Sequence, residues 1–526
     1  MASLQAYQSH GIRYFRIVES FRKNGKPAIG VLAHLGRVDD ILELHQGQHS
    51  APFQISSVSA GAVTALHHLA TELDLAGRIN AALAPARVQV RDRLTVGESL
   101  VAAILARACA PRSKLAFADW SQTTCLPDLM GFSAPALSSS QHFWDQMHAL
   151  PVDALAAIER DLVRAAIERE QLTVQALAYD STNFHTDIAT TNTRTQLPHR
   201  VYAGAQSDMR TFADFLPAFH QRLRTLTGRP EQLTIVFDAG ASSQRNLEGL
   251  VHYVTAVRPS QQRPLLAEAS AQLSAVPLPS GAVVQAWRTQ RAIAGKQRDV
   301  VVVRSPKLYA GQLRGLAQTM ARASAEIEDL LARCPRMGVE TVRQRMQKIR
   351  GRQYLRALLA YEVTTGPAGG SRLRIWCDVD EYRRLQGQYF GLRVLVTDRA
   401  AWTTAEIVAA YRGQSRVEAA FRDLKSPGML ATRPQFHWTD HKLRVHIFVC
   451  VLAYLLVTLL HRRARERTAF AGDAQRLLAE LATIRCCRLV DRTGQRGRPR
   501  VRLQIEQADP EILTMAEALD AVPKIT

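Results

Sequence analysis

Apolar and polar positions change their period several times along the chain, and each change marks a different kind of element. Residues 12 to 33 alternate around Asn24-Gly25, as in Ile12-Arg-Tyr-Phe-Arg-Ile-Val-Glu and Ala28-Ile-Gly-Val-Leu. Asn-Gly tolerates the positive φ of a tight turn, so this stretch predicts an opening β-hairpin. From about Ala60 to Glu170 the spacing becomes helical, with Leu66, Leu69 and Leu73 and then Leu100, Val101, Ile104 and Leu105. That predicts an alanine-rich helical domain punctuated by Pro111-Arg-Ser and Pro151.

Two short apolar runs then read as buried strands. Leu172 to Tyr179 runs into Asp180, and Leu233-Thr-Ile-Val-Phe237 runs into Asp238, with Gly240 just beyond. Between them, the polar stretch Ala189 to Arg200 is a loop by composition, and Thr211 to Leu226 carries a helical face of Phe212, Phe215, Leu216, Phe219, Leu223 and Leu226. A strand, a helix and a second strand, with an aspartate ending each strand, suit a cation site at the edge of a sheet. Strand-like pieces follow at Val283 to Trp287, Val300 to Val303, Leu373 to Trp376 and Leu392 to Val396, around a long helical stretch from Leu308 to Arg350. Its basic end, Arg343, Arg345, Lys348, Arg350 and Arg352, reads equally well as a DNA contact or a solvated face. Thr403-Thr404-Ala-Glu begins another helix, on which Tyr411, Glu418 and Lys425 recur at heptad spacing and share one face.

Composition narrows the function. At 526 residues the chain has room for roughly three domains. Lys plus Arg number 67 against 47 Asp plus Glu, a formal charge of +20, and the commonest polyanionic partner for such a chain is nucleic acid. Hydrophobic residues make up 47%, which excludes a disordered tail. Cysteines at 109, 125, 334, 377, 450, 486 and 487 form no Cys-x-x-Cys pair, so a reducing compartment, the cytoplasm, is expected. The start, Met1-Ala-Ser-Leu-Gln-Ala-Tyr, lacks the pattern of a signal peptide. The longest apolar run, Ile447 to Leu460, is shorter than the about 20 residues of a membrane span and predicts a buried helix and no membrane association. Neither a Gly-x-x-x-x-Gly-Lys loop nor a His-Glu-x-x-His pair occurs, so ATP and zinc are not implied.

Asp180, Asp238 within Asp-Ala-Gly-Ala-Ser-Ser-Gln-Arg-Asn246, and Glu418 within Tyr411-Arg-Gly-Gln-Ser-Arg-Val-Glu-Ala-Ala-Phe-Arg-Asp-Leu-Lys425 resemble the three carboxylates of a DDE transposase. The similarity is to the bacterial insertion-sequence superfamily IS-four and its sixteen-thirty-four-like branch. It extends from Phe15-Arg-Ile-Val-Glu-Ser through Ala110-Pro-Arg-Ser-Lys-Leu-Ala-Phe-Ala-Asp-Trp120 to His437-Trp-Thr-Asp-His-Lys-Leu-Arg-Val-His446. The resemblance implies a mixed α/β fold: a ribonuclease-H-like core interrupted by a β-rich insertion domain and preceded by an N-terminal β-hairpin and helical DNA-binding domain. The implied division is 1–55 β-hairpin module, 56–170 helical domain, 171–255 first half of the core, 256–400 insertion domain, 401–470 second half of the core with the acidic helix, and 471–526 C-terminal basic hairpin and helix.

It also implies a chemistry. Cutting a phosphodiester at the element's ends and joining the freed 3′-hydroxyl to target DNA needs charge stabilised on entering and leaving oxygens, which two Mg²⁺ ions about 4 Å apart supply. Mn²⁺ can substitute, and hard cations of this kind take carboxylate oxygens. Asp180, Asp238 and Glu418 would hold them. Tyr411, Arg412, Arg416 and Lys425 would contact DNA, supported by Gly240, Ser243, Asn246, Gln414 and Arg422. The implied partners are double-stranded DNA, as terminal inverted repeats and target, and a second copy of the chain on paired ends, near the bacterial nucleoid.

Two departures from the family qualify this. Gln414 stands where the family has arginine, leaving Arg412 and Arg416 as candidates to grip the terminal phosphate. Between Asp180 and Thr211 only one further strand, His199-Arg-Val-Tyr-Ala-Gly, is legible where the core needs two, so the copy is expected to be impaired. A DNA-binding relic and a metal-dependent nuclease are the rival outcomes. Arg496-Gly-Arg-Pro-Arg500 resembles an AT-hook, but its alternating flanks favour a basic turn between two strands.

Overall fold

The computed structural model describes residues 2–23, 26–38, 41, 53–83, 94–132, 137, 139–172, 176–178, 212–213, 216–217, 234–248, 252–366, 369–432, 439–491 and 500–524. The protein is mixed α/β, with a curled mixed sheet, and its chain divides into two compact units. Residues 1–80, 85–146 and 455–526 make the first, and 81–84 and 147–454 the second.

The first unit opens with a three-stranded antiparallel meander, β1 (Ala2–Ser9), β2 (Ile12–Lys23) and β3 (Lys26–Arg37). The expected hairpin is therefore β2–β3, although Asn24 and Gly25 at its tip lie outside the described residues. The extra strand β1 turns into β2 at His10-Gly11, whose φ values of 51° and 80° suit a two-residue hairpin turn. Strand β4 (Phe53–Ser59) pairs with Arg485–Asp491, which in turn pairs with Arg500–Ile505. The expected C-terminal hairpin thus forms, while residues 496 to 499 of the basic motif lie outside the described part. Helices Gly61–Glu72 and Val96–Cys109 bury Leu66, Leu69, Leu100, Ile104 and Leu105, as their spacing predicts. A Cβ at Gly61 would stand 2.3 Å from the Leu481 carbonyl oxygen, so glycine sets how closely that helix approaches Ala474–Ala482.

The long helix Asp440–Arg467 contains the apolar run Ile447 to Leu460. Its 28 residues are long and apolar enough to cross a membrane, but 72% of its most apolar window is buried within the protein, as in a core helix. All seven cysteines are free thiols.

The second unit is built on a seven-stranded sheet in the order β5 (Ala176–Ala178), β6 (Thr234–Phe237), β7 (Tyr253–Val257), β13 (Leu392–Thr397), β10 (Lys296–Arg304), β9 (Val283–Ile293) and β8 (Ser274–Pro277). The pairs β5–β6 and β6–β7 are parallel and the rest antiparallel. Both faces are covered, which is why the central strands read as continuous apolar runs and not as alternation. One face buries Phe212, Phe237, Val300, Val302, Val394 and Val396, and the other Val236, Val254, Val301, Leu395, Ile407 and Val408. Of the expected helix between β5 and β6, Phe212 and Leu216 are described and both are buried.

A second core lies under the hairpin β11 (Leu359–Thr365) and β12 (Ser371–Cys377). Helices Pro306–Arg333, Val339–Arg350 and Val379–Gln388 bury Leu316, Leu330, Val342, Met346 and Leu385 there. The single helical stretch expected from 308 to 350 is broken at Cys334-Pro335, because proline cannot extend the hydrogen-bond ladder. Part of its basic end has internal uses: Arg352 pairs with Glu326 at 2.5 Å, and Arg350 lies over the Tyr361 ring.

Candidate functional site

Strand parity builds the site. Successive side chains of a strand face opposite ways, so Asp238, two residues after Val236, belongs to the face that carries Val236. Arg393 belongs to that same face, two residues before Leu395. Helix Thr404–Arg412 covers this face with Ile407, Val408 and Tyr411. The end of β6, the middle of the sheet and the last turn of the helix therefore meet.

Tyr411 is the joint. Its hydroxyl donates to Asp238 Oδ1 at 3.0 Å and accepts from Arg393 Nη1 at 3.1 Å, while the Arg393 guanidinium lies 5.2 Å from the Tyr411 ring centre. Burial pushes the Tyr411 hydroxyl well above the usual phenol range. The adjacent Arg393 charge opposes that shift and the Asp238 carboxylate reinforces it, so the phenol stays protonated and donates to the carboxylate.

Behind Asp238 the chain turns sharply. The Ala241 amide donates to the Asp238 carbonyl at 3.1 Å, with Gly240 inside the turn. Ser243 Oγ accepts from the Asn246 amide at 3.2 Å, and Asn246 Nδ2 donates to the Ala241 carbonyl at 2.7 Å. Ser243 and Asn246 thus brace the turn that presents Asp238.

The helix carrying Tyr411 is held at its start by a capping box. Thr403 Oγ1 accepts from the Glu406 amide at 3.2 Å, and Glu406 Oε2 accepts from the Thr403 amide at 2.7 Å. The Thr403 amide bond, and then its hydroxyl, hold the Glu406 carboxyl below its ordinary value. A depressed carboxyl stabilises the fold above its unfolded value, so the box weakens as pH falls through the folded one. Thr403→Ala should cost about 1 kcal/mol. Urea unfolding of the two proteins at neutral pH checks this, and a change under a few tenths would show that the box does not matter.

The helix expected to run unbroken through Glu418 instead stops at Arg412, turns at Gly413 and resumes as Gln414–Lys425. Glu418 and Tyr411 nevertheless line one cavity of about 1130 Å³, with Arg412 and Gln414 beside them and Lys307 and Tyr354 from earlier in the chain. Glu418 has no ion pair with Arg422, and its carboxylate has no partner among the described residues. Arg422 is exposed, Lys425 half-buried and Gln414 buried.

Asp238 and Glu418 offer oxygen donors that suit a hard divalent cation, and Asp238 Oδ2 also lacks a partner among the described residues. No three His, Cys, Asp or Glu side chains converge among those residues. Asp180, the third expected carboxylate, the 199–204 strand and the Arg416 side chain all lie outside the described part. Sequence reasoning missed Arg393 and Lys307. A signal for Arg393 existed, as the one charged residue inside the apolar run Leu392-Arg-Val-Leu-Val396.

No family model matches the chain, and no curated protein matches its sequence.

Proposed function

We propose that the chain is a DDE-type transposase that cuts DNA at the ends of its own insertion sequence and joins the 3′-hydroxyl ends to target DNA. The observation that carries this is the Tyr411–Asp238 hydrogen bond, which ties the strand-end aspartate to the Tyr–Glu–Lys segment although 173 residues separate the two. Neither element predicts the other by local pattern, and their meeting is what a shared active centre requires. The parallel strands β5, β6 and β7, with an acid directly after the middle one, suit the first half of a ribonuclease-H-like core. The antiparallel strands beyond β7 would then be its insertion.

In the proposed site Asp238 and Glu418, with Asp180, would hold the divalent cations. When bound, these supply charge stabilisation on the attacking and leaving oxygens. Tyr411 fixes the Asp238 carboxylate through Oδ1 and leaves Oδ2 for a ligand. Arg412 and Lys425 would contact the backbone of double-stranded DNA, and the +20 charge favours its approach. A pair of copies on paired ends would complete the assembly.

Incubating the full chain with DNA bearing the element's own ends tests this. With Mg²⁺ or Mn²⁺, nicked ends and covalent joints to a target plasmid are expected, and with EDTA neither. Nicks without joints would identify a nuclease. DNA binding without any cutting would identify a relic, and the 180–211 segment would become the place to look for the defect.

A further inference from the structure

The cavity beside Glu418 presents more positive than negative charge. Lys307 in the first turn of Pro306–Arg333, Arg393 on β13 and Arg412 at the end of Thr404–Arg412 all line it, against the single carboxylate of Glu418. Such a lining suits an anion. Arg393 is the cation that the fold holds most firmly. Its neighbours Leu392 and Val394 are buried, its guanidinium rests on the Tyr411 ring, and one N–H is spent on the Tyr411 hydroxyl. Among the described residues that is its only hydrogen bond, so the rest of its planar fork remains for a ligand. Lys307 is exposed and makes no ion pair among the described residues.

We propose that Arg393, together with Lys307, grips backbone phosphates of DNA in this cavity, with Gln414 beside them as a neutral wall. Nothing in the periodicity of the Tyr–Glu–Lys segment points to either residue. Both come from the segment between Asp238 and Glu418, so that segment would bind substrate as well as support the sheet. The inference rests on reading the site as one that acts on phosphodiesters. Arg393 works here by position. The ring of Tyr411 holds its guanidinium, while Tyr411 itself holds Asp238, so one side chain aligns both phosphate and carboxylate.

The test uses the full chain and a DNA duplex, with affinity measured across a series of salt concentrations. Each phosphate contact that is lost should reduce the slope of log affinity against log salt by about 1. Arg393→Gln and Lys307→Gln should each do so, and Arg393→Lys should restore most of the slope. Neutral methylphosphonates placed one at a time along the duplex supply the second readout. At least one linkage should weaken the native protein when neutralised and leave Arg393→Gln unaffected. Lys307 is exposed, so its variant stays informative even where the Arg393 variants fold poorly. Slopes equal to the native one in both glutamine variants, or methylphosphonate profiles identical to the native one, would overturn the assignment. A native protein that neither binds nor cuts DNA would overturn the wider reading along with it, whereas native cutting with unaltered variants would remove only Arg393 and Lys307.

Discussion

Asp238→Asn is expected to lower Mg²⁺-dependent DNA cleavage by about 10³-fold, which is about 4 kcal/mol of transition-state stabilisation. The substitution is nearly isosteric. The asparagine carbonyl oxygen can still accept from the Tyr411 hydroxyl, so the joint between β6 and the helix Thr404–Arg412 should survive. What disappears is one negative charge and one carboxylate oxygen, which a hard cation prefers to an amide. DNA affinity should therefore hold or rise slightly while single-turnover cleavage collapses. Cleavage by the variant at the native rate would remove Asp238 from the proposed metal site.

Phe237→Ala should destabilise the second unit by about 3–5 kcal/mol. Phe237 is fully buried, and its ring stacks on Phe212 with centroids 4.7 Å apart. Truncation would open a cavity between the sheet and the segment that packs on it, next to the residue that ends the strand. Urea unfolding followed by circular dichroism would show a lower midpoint for this unit, and a loss under about 1 kcal/mol would mean that the site closes over without cost. The proposed DNA cleavage should fall as well, because Asp238 is covalently next to the cavity.

The pattern of residues made much of the second unit legible. Val300 to Val303 is an unbroken β-branched run and Leu392 to Val396 is aliphatic apart from Arg393, and runs of that length suit a strand covered on both faces. Local pattern could not say that β13 pairs with β7, which makes the supposed insertion continuous with the sheet that carries Asp238. Strand order is a long-range property. Heptad spacing puts Tyr411, Glu418 and Lys425 on one face of a single helix; Tyr411 and Glu418 do line one cavity, but Lys425 does not, and the helix breaks at Gly413, where a small residue in helical conformation sits between two helices. Arg393 stands out as a charge in an apolar run, but its partner is not legible for a related reason: Tyr411 meets it only once the helix lies on the sheet. The opening strand β1 was missed because Ser-Leu-Gln-Ala-Tyr-Gln-Ser alternates weakly and its His10-Gly11 turn is a less familiar signal than Asn-Gly.

The separation of 173 positions from Asp238 to Tyr411 also sets a clock. At synthesis rates of about 5 to 20 residues per second, about 9 to 35 s pass between the emergence of the aspartate and that of the tyrosine that holds it. Until residue 397 has emerged β7 has no β13 beside it, and until residue 412 has emerged the face of Asp238 has no complete helix over it. The joint thus forms late in synthesis, and a chain cut short before residue 411 carries the aspartate without the tyrosine that orients it.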